Sequence, residues 1–181
     1  LHFLKMIFDK YVIQSRIGEG TFGDVFEVTD KSTNEKFGAK IMKTNLKDLS
    51  ESEKADIKRE IGIISHISHP SILEFIYYGI DKDKMILITE LGWKTLYDIL
   101  QLDKEKQEQL GWNNTRKMIA IYSFVSAMWF LHSNNIVHRD ISAKNIIFDN
   151  DLNLKILDFG FSKVLNEYNI ENSGKLGTIW F

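Results

Sequence analysis

Apolar positions along the chain change their period four times. Tyr11, Val12 and Ile13 precede a glycine cluster at 18–23, and Phe22, Val25, Phe26 and Val28 overlap or follow it. Phe37, Ala39 and Ile41 form a third short segment of β character. Runs of this length and content, bounded by turn residues, predict strands. Between residues 50 and 65 the period becomes helical, because Ile57, Ile61 and Ile64 are spaced by four and three with charges on the other face. That spacing predicts an amphipathic helix with Ser50 or Ser52 as its N-cap. Residues 72–80 and 85–90 return to strand content, joined by the polar turn Asp81-Lys82-Asp83-Lys84.

A second helical pattern runs over 114–132, with apolar or aromatic positions at Met118, Ile121, Tyr122, Val125, Met128, Trp129 and His132. It covers about five turns. Two short strand-like pieces follow at 146–148 and 154–156. Strands with one helix, then a helix with short strands, predict an α+β chain of two lobes that meet near residues 90–93. There is no internal repeat, and the single proline, Pro70, excludes a Pro-rich linker.

Composition narrows the function classes. A chain of 181 residues is one domain of ordinary size. Hydrophobic residues at 44% and charged residues at 27% indicate a globular chain. Lys plus Arg number 23 against 25 Asp plus Glu, a net charge of -2, so no nucleic-acid partner is expected. With no cysteine, disulfide scaffolds, thiolate zinc sites and cysteine nucleophiles are excluded, and an intracellular, cytoplasmic protein is expected. The longest uncharged apolar stretch, 118–131, carries Ser123 and Ser126 and is too short to span a bilayer. No basic region followed by an apolar run opens the chain, so neither a signal peptide nor a membrane partner is expected. Nothing in the sequence speaks to oligomeric state.

The candidate chemistry lies in five short motifs. Gly18-Glu19-Gly20-Thr21-Phe22-Gly23 is a G-x-G-x-x-G, which alone fits a tight hairpin as well as a phosphate loop. A dinucleotide fold needs a helix after the third glycine, whereas Val25-Phe26-Glu27-Val28-Thr29 is β-prone. A glycine loop between strands instead lets backbone approach triphosphate oxygens closely. Lys40 sits inside the third apolar segment. A strand-edge lysine is the ordinary explanation, but a buried one needs a charged partner, which Glu60 on the apolar side of the first helix can supply. His138-Arg139-Asp140-Ile141-Ser142-Ala143-Lys144-Asn145 follows the long helix, and Asp158-Phe159-Gly160 follows the last strand. These read either as two polar turns that carry acids or as one site. In the second case Asn145 and Asp158 oxygens suit Mg²⁺, and Asp140 is free to orient an attacking hydroxyl.

In this order, the glycine loop, strand Lys, helix Glu, H-R-D-x-x-x-x-N and D-F-G make the chain resemble the eukaryotic protein kinase domain. The resemblance implies a two-lobe domain over 8–181: an antiparallel β N-lobe with one helix at about 8–90, a hinge at about 90–93, and a mainly helical, incomplete C-lobe at 94–181. It implies transfer of the ATP γ-phosphate to Ser/Thr hydroxyls of protein substrates with Mg²⁺. The alternatives are a tyrosine or dual-specificity kinase, or a pseudokinase scaffold. By the same resemblance Asp140 is the catalytic base, Lys40 holds the α/β-phosphates, and Glu60 holds Lys40. Asn145 and Asp158 are the metal ligands. Ile17, Gly18, Glu19, Gly20, Thr21, Phe22, Gly23 and Val25 belong to the nucleotide loop, and Gly38 and Ile147 line the adenine. Thr89 falls at the gatekeeper position, and Glu90, Leu91 and Gly92 at the hinge. His138 and Phe159 join the hydrophobic stack that couples the lobes.

The chain departs from the family pattern in several places. Gly38 stands where an alanine is usual, so weaker nucleotide binding is expected. Ser142 replaces the lysine usual in Ser/Thr kinases, and Lys144 falls where tyrosine kinases often place arginine. Gly177-Thr178 before Trp180 is similar to the Ser/Thr and tyrosine-kinase-like pattern, so a tyrosine-kinase-like Ser/Thr kinase is expected. Arg139 beside Asp140 implies control by phosphate on the following segment, with Tyr168 and Ser173 as the hydroxyls. The sequence ends at Phe181 before an A-P-E motif. A longer parent is therefore expected, whose further helices cover the several apolar faces of the long helix.

Overall fold

A computed structural model describes residues 10–20, 23–159 and 162–164. The chain divides into two units. The first holds residues up to 58 together with 74–91, and the second holds 59–73 together with residues from 92 onward.

The first unit is built on one antiparallel sheet. Its strands are β1 (Tyr11–Glu19), β2 (Gly23–Asp30), β3 (Lys36–Met42), β4 (Phe75–Asp81) and β5 (Lys84–Glu90), in the order β1-β2-β3-β5-β4. Alternation along the strands sends Tyr11, Val28, Ala39, Ile86 and Ile88 into one buried cluster, with Phe26, Phe37, Ile41 and Tyr77 packed around it. The Tyr11 ring meets Phe37 edge-on at 5.9 Å. The turn between β4 and β5 is two residues long, and both Lys82 and Asp83 have positive φ, 46° and 67°. That conformation matches the right-handed twist of the flanking strands. Between β2 and β3, Asp30 accepts hydrogen bonds from the Ser32 hydroxyl (2.6 Å) and N–H (2.8 Å), which with the Lys10 ammonium bring its carboxyl down to about 2.

Helix α1 (Glu51–Ile64) starts at a capping box. The Ser50 hydroxyl accepts the Glu53 N–H at 3.3 Å, and the Glu53 carboxylate accepts the Ser50 N–H at 2.8 Å. Ser50, not Ser52, is therefore the cap. Ile63 and Ile64 are buried, and Ile57, Glu60 and Ile61 are half-buried.

The second unit is organised on the long helix, with small sheets against it. The short pieces come first: β6 (Lys94–Thr95), α2 (Leu96–Leu100) and α3 (Lys104–Gln109), then α4 (Asn114–Ser133). β7 (Ile136–Val137), β8 (Ile146–Phe148), β9 (Leu154–Ile156) and β10 (Lys163–Val164) complete it. β6, β8 and β9 form one antiparallel sheet in that order, and β10 pairs with β7. Phe148, Ile156, Ile99 and Leu131 are fully buried, and Trp112 lies edge-on to Phe148 at 5.0 Å. Helix α4 touches β7 and β9 and buries Ala120, Ala127 and Leu131. Its outward face carries Met118, Ile121, Tyr122, Val125 and Trp129, all exposed.

Two differences from the sequence pattern have simple causes. The strand expected over 72–80 begins at Phe75, because Ile72 makes a single parallel bridge to Ile156 and Leu73 N–H donates to Ile156 O at 2.9 Å. Helices α2 and α3 are too short to show a period. They are set by caps: Thr95 forms a capping box with Asp98, and the Asp103 carboxylate accepts the Lys106 N–H at 2.9 Å. No helix among the described residues is long and apolar enough to cross a membrane.

Candidate active site

The residues singled out in the sequence fall in both units. In the first, the glycine turn joins β1 to β2 and is closed by Gly20 N–H donating to Gly23 O at 3.0 Å. Gly23 has a packing reason to be glycine: a Cβ there would lie 2.7 Å from the Ile41 carbonyl oxygen of β3. Gly18 pairs with Val25, and Val25 pairs across with Lys40, which is half-buried on β3. Ile17 is exposed. The stem of the hairpin carries a charge network in which Arg16 reaches Asp24 (2.8 Å) and Glu19 (2.9 Å), and Lys43 reaches the same two acids. Partial burial raises the Asp24 carboxyl, but Arg16 and Lys43 outweigh it and hold it below the usual range.

Gly38 lies opposite Thr89, and a Cβ there would come within 3.2 Å of the Thr89 hydroxyl and 3.4 Å of the Glu90 carbonyl. The space for a methyl group is thus taken by β5. The Thr89 hydroxyl donates to Glu90 O at 3.0 Å. Glu90 is fixed by Glu74, whose N–H donates to the Glu90 carboxylate (2.8 Å) and whose carbonyl accepts the Glu90 N–H (2.9 Å).

In the second unit, Gly92 and Ile147 are in direct apposition. A Cβ at Gly92 would fall on the Ile147 side chain, 2.8 Å from its Cγ1. Trp93 N–H donates to Phe148 O at 2.7 Å and lays this segment along β8.

The loop after β7 is held from inside. His138 is fully buried. Its Nδ1 accepts the Asp140 N–H at 3.3 Å, and its Nε2–H donates to Leu157 O at 3.1 Å, a pair of partners that fixes the neutral tautomer. Burial lowers the His138 imidazole below its ordinary value despite that hydrogen bond and the nearby Asp158 and Asp140 charges. The ring meets Phe159 edge-on at 4.9 Å. Asn145 Nδ2 donates to the Asp140 carboxylate at 2.7 Å and to the Asp140 carbonyl at 2.9 Å, and Leu157 N–H donates to Asn145 O at 3.0 Å. Asp140 and Asn145 are therefore joined, and the chain that bears Asp158 is tied to both. Arg139 and Asp158 have φ of 67° and 65°, a region costly for residues other than glycine.

The chemistry of the donor set fits Mg²⁺. Because its amide nitrogen faces Asp140, Asn145 turns its carbonyl oxygen elsewhere. That oxygen and the Asp158 carboxylate are hard ligands of the kind Mg²⁺ shares with water and phosphate. Among the described residues no group of three or more His, Asp or Glu is placed to hold a metal by itself.

Glu60 lies half-buried in the part of α1 assigned to the second unit, while Lys40 belongs to the first. Thr21, Phe22, Gly160, Tyr168, Ser173 and the Gly177-Thr178 pair lie outside the described residues. Ser162 was missed in the sequence. It is buried and its hydroxyl donates to the Phe159 carbonyl, a role that no local pattern signals.

Comparison with known proteins identifies the family. The family profile described as Protein kinase domain matches residues 11–181. Human NUAK family SNF1-like kinase 1 is 34% identical over 157 residues, which is 86% of this chain and 22% of the relative. Carbon catabolite-derepressing protein kinase of Saccharomyces cerevisiae is 33% identical over 161 residues, 88% of this chain and 24% of the relative. Serine/threonine-protein kinase fused of Drosophila melanogaster is 27% identical over 155 residues, 86% of this chain and 18% of the relative. The chain spans about a quarter or less of the length of these relatives. With an antiparallel five-stranded sheet in one unit, a long helix in the other and a profile match from residue 11 to 181, the chain belongs to the protein kinase domain family.

Proposed function

We propose that the protein transfers the γ-phosphate of ATP to Ser or Thr hydroxyls of protein substrates, with Mg²⁺. The observation that carries this reading is the Asp140–Asn145 hydrogen bond at 2.7 Å in a loop anchored by buried His138. It leaves one Asp140 oxygen without a hydrogen-bond donor among the described residues, suited to accept the proton of a hydroxyl. In the reaction the bond from the γ-phosphorus to its bridging oxygen breaks. A bond from phosphorus to the substrate oxygen forms, and the hydroxyl proton passes to Asp140.

The protein kinase family uses ATP, typically with Mg²⁺. In this chain Asn145 and Asp158 would hold the metal, which when bound neutralises developing phosphoryl charge. The glycine turn from Gly18 to Gly23, with Ile17, Glu19, Thr21, Phe22 and Val25, would cover the phosphates, and Lys40 would hold them with Glu60 as its counter-ion. Gly38, Glu90, Gly92 and Ile147 would enclose the base; the contact of Ile147 with Gly92 supports a shared role for those two. The names of similar kinases, such as Serine/threonine-protein kinase fused, support a Ser/Thr acceptor. A net charge of -2 and the absence of cysteine support an intracellular protein that acts on proteins rather than nucleic acid.

The test is Asp158→Ala in the full-length protein. Phosphotransfer to protein falls at least about a hundredfold, because a ligand is lost where charge must be neutralised. Unchanged turnover would remove the metal assignment, and no turnover in the native protein with Mg·ATP would remove the activity.

A further inference from the structure

Two lysines on segments joined to the loop that carries Asp140 are presented in the same manner. Lys144, four residues after Asp140 and exposed, holds its ammonium 5.3 Å from the centre of the Tyr97 ring. Lys94, on β6, holds its ammonium 5.0 Å from the centre of the Trp93 ring. Both rings are exposed, Trp93 at 40% and Tyr97 at 44%. Backbone bonds join these segments into one surface. Tyr97 N–H donates to Ala143 O at 2.9 Å, and β6 pairs with β8, with Lys94 opposite Phe148 and Thr95 opposite Ile147.

Neither ammonium has a carboxylate partner among the described residues. Asp98, on the same segment, accepts from the Thr95 N–H (3.0 Å) and hydroxyl (2.6 Å). An aromatic face steadies a cation without neutralising it, so each lysine keeps its charge for a ligand. Two such cations, on segments bonded to the loop after β7 and to β8, give the surface beside that loop positive charge.

We infer that Lys144 and Lys94 select substrates by anionic side chains near the acceptor hydroxyl, carboxylates or phosphorylated residues. This rests on the phosphotransfer reading of Asp140 and adds the substrate class to it. A charge-assisted contact from ammonium to carboxylate or phosphate forms as the acceptor segment docks, and a basic segment is repelled.

The experiment uses the full-length protein and serine peptides that differ only in the residues flanking the acceptor: Glu, phosphoserine, Gln or Lys. Peptides with Glu or phosphoserine have kcat/KM on the order of tenfold above the Gln peptide, equivalent to one well-placed ionic hydrogen bond. Lys144→Glu combined with Lys94→Glu brings that ratio to about one or below, and Lys144→Arg with native Lys94 keeps it. A preference for Glu alone makes acidic sequences the source of the anion, and a preference for phosphoserine alone makes it prior phosphorylation. Equal rates on Glu, phosphoserine and Gln peptides overturn the inference, as does a preference that survives the double reversal. If no peptide accepts phosphate, the phosphotransfer reading fails, and fluorescence anisotropy of labelled peptides still decides this one. Tighter binding of the anionic peptides, lost in the double variant, upholds it; equal binding of anionic and neutral peptides overturns it.

Discussion

Two histidines of the second unit are held by one device in different surroundings. His69 Nδ1 accepts the N–H of Ser71 at 3.0 Å, its Nε2–H donates to the Ser126 hydroxyl at 3.1 Å, and its ring lies 5.2 Å from Phe130. His138 repeats the arrangement with Asp140 N–H, Leu157 O and Phe159. In both, the ring grips the backbone two residues on and fastens it to a distant element. The surroundings differ. His69 is half-buried and ends on a hydroxyl that rotates freely, whereas His138 is fully buried and ends on a carbonyl fixed by β-like chain. The first device anchors a loop to α4. The second fixes the direction of a carboxylate, because water cannot replace either of its hydrogen bonds.

The comparison is broken most sharply at the group that the buried histidine presents. Asp140→Asn keeps shape and the contact with Asn145 but loses the proton acceptor. Turnover of the full-length protein falls at least about a hundredfold, while ATP affinity by fluorescence titration stays within roughly twofold. Near-normal turnover would mean that the device serves packing alone. Next in size is His138→Leu. It leaves the part-buried Asp140 N–H and Leu157 carbonyl without these partners, at about 1–3 kcal/mol each. Urea unfolding shows a loss of that order, and turnover falls with it.

His69→Leu sharpens the contrast, because solvent reaches the loop and offsets the lost bonds. The expected cost is about 0.5–1.5 kcal/mol, with phosphotransfer little changed. Equal losses at the two histidines would erase the distinction drawn from burial. The smallest effect is in pH. Burial lowers both imidazoles below the ordinary value near 6.5. The unfolded chain therefore takes up protons first as pH falls through that value. Stability present above it is lost below it, and the loss levels once the folded imidazoles protonate. Urea midpoints measured from pH 7.5 to 5 show a fall whose size shrinks more in His138→Leu than in His69→Leu.

What the sequence made legible was set by local patterns. Ile57, Ile61 and Ile64, with Ser50 or Ser52 as the N-cap, marked α1 almost to the residue, and the long period over 114–132 marked α4. β8 and β9 fell where short apolar runs stood between turns. The motif residues of the loop after β7 were readable as a set. The means of holding them were not, because Leu157 is 19 residues from His138 and Ser126 is 57 from His69. Hydrogen bonds between distant segments leave no period. Gly38 shows the same limit. The family pattern pointed to an absent alanine methyl there, and what crowds such a methyl is a residue across the sheet, the Thr89 hydroxyl 3.2 Å from a Cβ at Gly38.

The outward face of α4 has a spectroscopic consequence. Trp129 is 73% exposed on that face, whereas Trp112 is 5% exposed against Phe148. The two indoles therefore report opposite environments, one quenched readily by iodide and emitting at long wavelength, the other shielded and emitting blue. Any chain that settles on Met118, Ile121, Tyr122 and Val125 covers Trp129 as well, since these positions share one stripe of the helix. Loss of iodide quenching at Trp129, read against a Trp129→Phe control, then registers such an occupant without a label.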